Sequence, residues 1–256
     1  MPPGRYREVR KLSVDAPERI VLVTGAASGI GAAIVRRLSA APVRVVAFDL
    51  RYAEDPPQNI EAVEGDVRSE RDIGALMAAI EARHGRLDVL VNAAGIAART
   101  DISLSNLATW RRVMDVNYFG TLTCIAAAVP LLRRSSAAAI LNIGSELVAR
   151  PAASLFAYSS SKAAVVHLSK AMARELAPHG IRVNALCPGP TDTPMLRAAF
   201  ARSADPRAEQ EKTEASTLMS RLGTPDEIAA AAEFLVSDGA TFITGAVVHA
   251  DGGATS

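Results

Sequence analysis

Tyr158 and Lys162 stand four residues apart in Tyr158-Ser159-Ser160-Ser161-Lys162, a spacing that puts both side chains on one face of a helix. A lysine ammonium beside a phenol favours the phenolate and draws the tyrosine pKa down from its reference of ~10 toward neutrality, so Tyr158 is a candidate general base. Ser145, thirteen residues upstream at the end of an apolar run, offers a hydroxyl to hold a substrate oxygen against that phenol. Asn117 follows Val113-Met114-Asp115-Val116 inside an apolar helical pattern, where a side-chain amide is out of place unless it makes specific hydrogen bonds. The chemistry open to such a set is proton exchange with an alcohol or carbonyl oxygen. Taken singly, each residue also has an ordinary structural reading, since Tyr–Lys pairs on helices and serines at strand ends are common.

A second constellation lies upstream. Ile20-Val21-Leu22-Val23-Thr24 runs into Gly25-Ala26-Ala27-Ser28-Gly29-Ile30-Gly31 and then a helical pattern. Glycines there permit a tight turn and let a phosphate approach the backbone N–H groups at the positive end of the helix dipole. The spacing is GxxxGxG, neither the GxGxxG fingerprint nor the lysine-bearing phosphate loop. Asp49 closes the second apolar run eighteen residues after Gly31, where a carboxylate accepts hydrogen bonds from adenosine ribose hydroxyls and repels a 2′-phosphate. Ser28 and Leu50 are uncharged, so the arginine that would hold a 2′-phosphate is missing from both places. NAD is therefore expected over NADP, with Arg51 the feature that argues the other way.

These residues need a sheet to bring them together. Short apolar, β-branched runs at Ile20 to Thr24, Val43 to Phe48, Ile60 to Glu64, Val89 to Asn92, Ala138 to Ile143, Ile181 to Cys187 and Ala246 to Ala250 alternate with helical patterns starting near Gly29, Ser69, Ser105, Ala157 and Pro225. Strands that are apolar on both faces, each followed by a helix, predict an α/β fold: one doubly wound Rossmann-type domain with about seven parallel strands and helices on both faces. The expected domain runs over residues 19–256 behind a polar leader at 1–18. The polar, charged segment 190–223 follows the sixth strand at the carboxyl edge, where ligands of such sheets bind, and is read as a mobile substrate lid; the plainer reading is a solvated pair of surface helices. Between Asp49 and Asp66, with Pro56 and Pro57, no room is left for a helix, so a loop and a more open edge are expected.

Composition narrows the partners. Lys+Arg of 28 against Asp+Glu of 27 in 256 residues leaves a net charge of +1, too little positive field for a nucleic-acid partner. Cys124 and Cys187 fit neither a metal pair nor a disulfide scaffold and read as buried thiols in a reducing cytoplasm. His84, His167, His179 and His249 show no ligand spacing, so no metal is expected. No apolar run looks long enough for a membrane span, and Met1 to Arg19 lacks the apolar segment of a secretory signal. A soluble, cytoplasmic protein with a small-molecule substrate is expected.

Together, Thr24-Gly25-Ala26-Ala27-Ser28-Gly29-Ile30-Gly31, Asn92-Ala93-Ala94-Gly95, Asn117, Ser145, Tyr158-x-x-x-Lys162 and Pro188-Gly189 resemble the short-chain dehydrogenase/reductase family. The C-terminal run Arg221-Leu222-Gly223-Thr224-Pro225-Asp226-Glu227-Ile228-Ala229, then Phe234-Leu235, Thr244-Gly245 and Asp251-Gly252-Gly253, extends the resemblance over about residues 19 to 253. It implies direct hydride transfer between a substrate carbon and a nicotinamide. Ser145 would position the substrate oxygen and Tyr158 exchange its proton. Lys162 would hold the nicotinamide ribose and depress the tyrosine pKa, and Asn117 would retain a relay water. Gly25, Ser28, Gly29, Ile30 and Gly31 would cradle the phosphates, Asp49 and Leu50 would meet the ribose, and Asp66 and Val67 would flank the adenine. Asn92, Ala93, Ala94 and Gly95 would support the cofactor floor, and Pro188, Gly189, Thr191 and Thr193 would meet the carboxamide.

Two departures from the family pattern stand out: Ala93 replaces a common asparagine, expected to weaken one local bond, and Gly144 occupies the place of a common serine. An NAD preference implies net oxidation of a secondary alcohol to a ketone. The short Asp49–Asp66 link, the Asn92-Ala93-Ala94-Gly95 turn and Pro188-Gly189-Pro190-Thr191-Asp192-Thr193-Pro194-Met195 are similar to dihydro-dihydroxybenzoate dehydrogenases, pointing to a cyclic diol, polyol or sugar-like substrate, with Arg99, Arg150 and Arg197 as candidate cations for a substrate carboxylate. The alternatives are a 3-oxoacyl-(carrier) reductase and, from another class, a non-catalytic NAD(H)-sensing regulator. Small residues on the helical stretches Ala157 to Leu176 and Ser105 to Leu132, with the resemblance, imply a dimer or tetramer.

Overall fold

The computed structural model describes residues 18–40, 42–52 and 60–256. Seven parallel strands, β1 (Arg19–Thr24), β2 (Val43–Asp49), β3 (Ile60–Glu64), β4 (Val89–Asn92), β5 (Ala139–Ile143), β6 (Arg182–Pro188) and β7 (Val247–Ala250), form one sheet in the order β3-β2-β1-β4-β5-β6-β7. Each expected strand is found within one residue of its predicted bounds. Apolar side chains alternate across the sheet. Ile20 and Leu22 pack toward α2 (Glu70–His84), α4 (Gly120–Leu132) and α5 (Phe156–Leu176), whereas Val21 and Val23 pack toward α1 (Gly29–Leu38) and α8 (Pro225–Val236). Burying a Leu, Ile or Val from water contributes roughly 1.5–3 kcal/mol, and both faces gain it, which is why the strands read as unbroken apolar runs.

The chain leaves β1 in one direction and β4 in the other, so a crevice opens between their carboxyl ends. The elements around it are pinned by caps. Ser69 accepts from Asp72 N at the start of α2. Thr224 and Glu227 form a reciprocal capping box at α8, with Pro225 in the first turn.

The expected helix from Ser105 to Leu132 is a composite: a 3₁₀ turn (Leu104–Asn106), α3 (Leu107–Met114), a π turn (Asp115–Phe119) and α4. The run Leu104–Leu132 is long and apolar enough to cross a membrane, contrary to the expectation from sequence. Pro130 interrupts the pattern without ending the helix, and Cys124, Ile125, Ala128, Leu131 and Leu132 turn inward to the core. Segment 190–223 is likewise no open loop. It carries α6 (Pro194–Phe200) and α7 (Pro206–Glu214), as the plainer reading had it, and is closed at its base where Asp192 N donates to Gly223 O and Gly223 N to Pro190 O, both at 2.9 Å. The leader, save its last residue, and the tip of the β2–β3 link at 53–59 lie outside the described residues.

A buried polar chain ties α5 to the centre of the sheet. Asn92 Nδ2 donates to Asn142 Oδ1 at 2.8 Å, Asn142 Nδ2 to Ser169 Oγ at 2.9 Å, and Ser169 Oγ to Val165 O at 2.8 Å. Asn142→Ala strips a partner from two buried groups and is expected to cost about 1–3 kcal/mol, read as a lower urea midpoint; an unchanged midpoint would show that the chain contributes nothing.

Candidate active site

The carboxyl ends of the strands border a cavity of about 720 Å³. Every candidate catalytic or cofactor residue from the sequence lines it except Asn92 and Asn117, which are buried one layer behind; of the three candidate cations Arg99 lines it, and Arg150 and Arg197 do not. At one end the glycine turn has a steric cause. Gly25 adopts φ +66°, and a Cβ there would lie 2.5 Å from Ala94 N; a Cβ on Gly31 would lie 1.9 Å from Gly25 O. The turn can therefore pack under the Asn92-Ala93-Ala94-Gly95 segment only with glycine at both places. Ser28 caps α1 without a side-chain hydrogen bond, and the first turn holds no acid, so its N–H groups are open to an anion.

Asp49 Oδ2 accepts from Ala27 N at 2.9 Å and Oδ1 from Leu50 N at 2.7 Å, which locks the end of β2 to the glycine turn. A carboxylate has about four acceptor sites, so the same group keeps capacity for hydroxyls. Asp66 is held by Arg68, whose Nε donates to both carboxylate oxygens at 3.1 and 2.9 Å; those bonds push the Asp66 carboxyl below its ordinary range. A ready anion cradle beside a carboxylate has the donors and acceptors that a dinucleotide needs.

At the other end Ser145 lies two residues beyond β5 and its Oγ accepts from Leu147 N at 3.2 Å. Tyr158, in the first turn of α5, and Lys162, one turn on, share a face, with Lys162 Nζ 5.9 Å from the Tyr158 ring centroid. The lysine is buried and donates to Ile143 O at 2.8 Å. The expected depression of the tyrosine pKa is not found. Burial pushes the Tyr158 phenol up to about 12, Ser145 lowers it, and Cys187 and Glu146 raise it further. Burial likewise brings the Lys162 ammonium down to about 8. Desolvation, which disfavours both charges, governs this pair.

Asn117 sits in the π turn, a distortion that often marks functional sites. Its Oδ1 accepts from Ile96 N at 2.8 Å, and its Nδ2 donates to Ile96 O at 3.0 Å and to Ser161 Oγ at 2.9 Å. Both amide donors are taken by protein.

Comparison with known proteins agrees with this geometry. A family model described as enoyl-(acyl carrier protein) reductase matches residues 25–255. Cis-4-hydroxycyclohexanecarboxylate dehydrogenase of Sinomonas cyclohexanicum is 38% identical over 248 residues, covering 93% of this chain and 97% of that protein. The chain belongs to the short-chain dehydrogenase/reductase family. Among solved members of the family, the ligand-free aldohexose dehydrogenase of Thermoplasma acidophilum superposes with a TM-score of 0.89 at 34% identity, covering 93% of this chain and 94% of that one. The 3-ketoacyl-(acyl-carrier-protein) reductase of Brucella melitensis, complexed with NADH, superposes with 0.84 at 32%, covering 93% and 98%. This short-chain dehydrogenase/reductase is accordingly an oxidoreductase of alcohol and carbonyl groups that uses a nicotinamide cofactor.

Several sequence expectations for this family member change. The three cations considered for a substrate carboxylate are already engaged: Arg99 pairs with Glu209 at 2.9 Å, Arg197 with Asp192 at 2.6 Å, and Arg150 donates to Ala254 O and Ser216 O. Thr193 Oγ1 accepts from Leu196 N at 3.3 Å as the N-cap of α6, while Thr191 Oγ1 donates to Gly189 O at 2.9 Å. Sequence reasoning overlooked Arg68, Arg112, Glu146, Leu155 and Arg202, all on the cavity wall; only Glu146 carried a signal, its place next to Ser145.

Gly144 has a packing cause. A Cβ there would lie 2.6 Å from Cys187 Sγ and 3.1 Å from Val166 Cγ2, so glycine at 144 and cysteine at 187 are a matched pair. Gly144→Ala is expected to cost about 1–3 kcal/mol by overpacking, and Cys187→Ala in the same chain to recover part of that loss. A double-mutant cycle on urea midpoints reads the coupling; strictly additive losses would refute it.

Proposed function

We propose that this protein is an NAD-dependent dehydrogenase that interconverts a secondary alcohol and a ketone on a cyclic diol, polyol or sugar-like small molecule, with Ser145, Tyr158 and Lys162 as catalytic residues. The observation that carries the proposal is one cavity in which these three side chains meet at one end and the glycine cradle with Asp49 lies at the other. A bound nicotinamide dinucleotide supplies the hydride acceptor or donor.

The protein's own part is binding and proton handling. Gly25, Ser28, Gly29, Ile30 and Gly31 take the pyrophosphate, Asp49 with Leu50 the adenosine ribose, and Asp66 with Val67 the adenine edge. Asn92, Ala93, Ala94 and Gly95 form the floor, and Pro188, Gly189, Thr191 and Thr193 face the carboxamide. Ser145 Oγ accepts from Leu147 N and its hydroxyl bonds the Tyr158 phenol, lowering the phenol pKa, so serine and tyrosine stand together where they can hold one substrate oxygen. Tyr158 exchanges the hydroxyl proton with the substrate, and Lys162 holds the nicotinamide ribose. Asn117 acts as a positioning residue, fixing Ile96 and Ser161 on either side of the lysine.

With the phenol at about 12 and the ammonium at about 8, the pair at neutral pH is a neutral phenol beside a cation, the form that gives a proton to a carbonyl oxygen. Oxidation needs the phenol proton gone, so kcat/KM for alcohol oxidation is expected to keep rising with pH through the alkaline range toward about 12, and that for ketone reduction to fall only as the phenol ionises.

Segment 190–223 acts as the lid, through Leu196, Ala199 and Arg202 on the cavity wall. A cytoplasmic dimer or tetramer is the assembly we favour, supported by Ile102, Leu104, Phe119, Phe234 and Phe242, large apolar side chains left exposed. Similarity to the Brucella reductase favours a second reading, reduction of a 3-oxoacyl thioester; Asp49 and the near-neutral charge weigh against it.

The test is nicotinamide absorbance with NAD or NADP against cyclic diols, polyols, sugars, steroids and hydroxyacyl thioesters. Turnover with NAD is expected, reduced at least ~10²-fold in Tyr158→Phe with NADH binding retained, and Asp49→Ser is expected to improve NADP use. Turnover with NADP alone would overturn the cofactor assignment, and NADH binding without any turnover would leave a sensing role.

A further inference from the structure

Glu146 is an ionisable group on the cavity wall that the proposed proton transfer does not use. It follows Ser145 directly, opening the 3₁₀ turn Glu146–Val148 that Ser145 caps. Its position is therefore as fixed as that of the serine. It lines the same cavity as Ser145, Leu147, Leu155 and Tyr158, and its charge is felt at the phenol of Tyr158. Among the described residues no hydrogen bond or ion pair reaches its carboxylate.

Three charged or titratable groups surround it: Arg150 on its own loop, Asp251 from the C-terminal segment and Tyr158 on α5. Arg150 does not neutralise it by contact, because its guanidinium is turned to the carbonyls of Ala254 and Ser216. Burial, with Asp251 adding to it and Arg150 opposing, pushes the Glu146 carboxyl up to about 7. A half-buried carboxyl with no protein donor is an acceptor awaiting one. The wall beside Ser145 and Tyr158 thus presents an acid, and the candidate cations are bound elsewhere.

We propose that Glu146 is a specificity-determining residue whose carboxylate accepts a hydrogen bond from a second hydroxyl of the substrate, close to the carbon that reacts at Ser145 and Tyr158, so that the enzyme selects uncharged polyhydroxylated substrates over mono-alcohols and over hydroxy acids. This rests on the alcohol–ketone reading above and narrows it. A site built to bond a hydroxyl discriminates strongly against an analogue that lacks it, because its own buried polar group is then left unpaired. A carboxylate at that place also opposes an anionic substrate at close range. Arg202 on the lid, which has no carboxylate partner among the described residues, is the group that would reverse that preference, and the hydroxy acid arm of the test reports on it.

The experiment compares kcat/KM for cyclohexane-1,2-diol, cyclohexanol and 4-hydroxycyclohexanecarboxylate, each with NAD and with NADP, in the native protein, Glu146→Gln and Glu146→Leu. The native protein is expected to favour the diol over both others. The diol-to-cyclohexanol ratio is expected to fall by at least about tenfold in Glu146→Leu and by less in Glu146→Gln, consistent with the loss of a charge-assisted bond. A second readout needs no turnover: with NADH present, the diol raises the melting temperature of the native protein by mass action, raises that of Glu146→Gln by less, and fails to raise that of Glu146→Leu. The glutamine variant keeps the size of the side chain, so the question is answered even if Glu146→Leu does not fold. An unchanged ratio in Glu146→Gln, or a native preference for the hydroxy acid, overturns the proposal while leaving the alcohol–ketone reading intact. No turnover of any alcohol with either cofactor defeats that reading instead.

Discussion

One buried cation organises the catalytic end of this molecule. Lys162 is 4% exposed and its ammonium donates to Ile143 O, the last residue of β5, at 2.8 Å. Burial brings this ammonium down from the ordinary 10.5 to about 8, because a dry site disfavours the charge. The bond to the Ile143 carbonyl, from a charged donor, compensates part of that cost. The strand end and α5 are therefore coupled: whatever moves β5 relative to the helix strands a charge. The polar chain from Asn92 through Asn142 to Ser169 makes a second tie between sheet and helix about two turns further along. Gly95 keeps the space clear, since a Cβ there would lie 3.3 Å from Lys162 Nζ.

The nucleotide end rests on a different constraint, close backbone approach. Gly25, Gly31 and the Asn92-Ala93-Ala94-Gly95 segment lie in contact without side chains between them, and Asp49 bonds Ala27 N across the gap between β2 and the turn. The carboxylate proposed to take a ribose is thus part of the fold before any ligand arrives. Such preorganisation lowers the ordering cost of binding.

Much of this was readable from residues alone because the signals are local. Strand ends fell within one residue since both sheet faces are covered by helices, and an apolar run stops where cover stops. Gly25, Asp49, Ser145, Tyr158 and Lys162 were legible because their types and spacing are dictated by backbone geometry and helical periodicity. What escaped depends on tertiary surroundings. Periodicity gives no sign of the π turn around Asn117, since one extra residue per turn barely alters an apolar stretch. The sign of the Tyr158 shift was misjudged because helix spacing reports which groups are near and not how dry they are. Arg99, Arg150 and Arg197 looked available because their partners, Glu209, the carbonyls of Ser216 and Ala254, and Asp192, are chosen by the fold. Gly144 was seen as a departure, and its cause, the sulfur of Cys187 on the next strand, was visible only in three dimensions.

The two ends of one cavity form a single reaction site if one dinucleotide spans them, and the crystal structure of the complex with NAD measures that directly. The pyrophosphate is expected at the first turn of α1, the adenosine ribose on Asp49, and the nicotinamide ring within reach of Tyr158, with its ribose against Lys162. A dinucleotide bound with its nicotinamide away from Tyr158, or with no contact to Asp49, would contradict it.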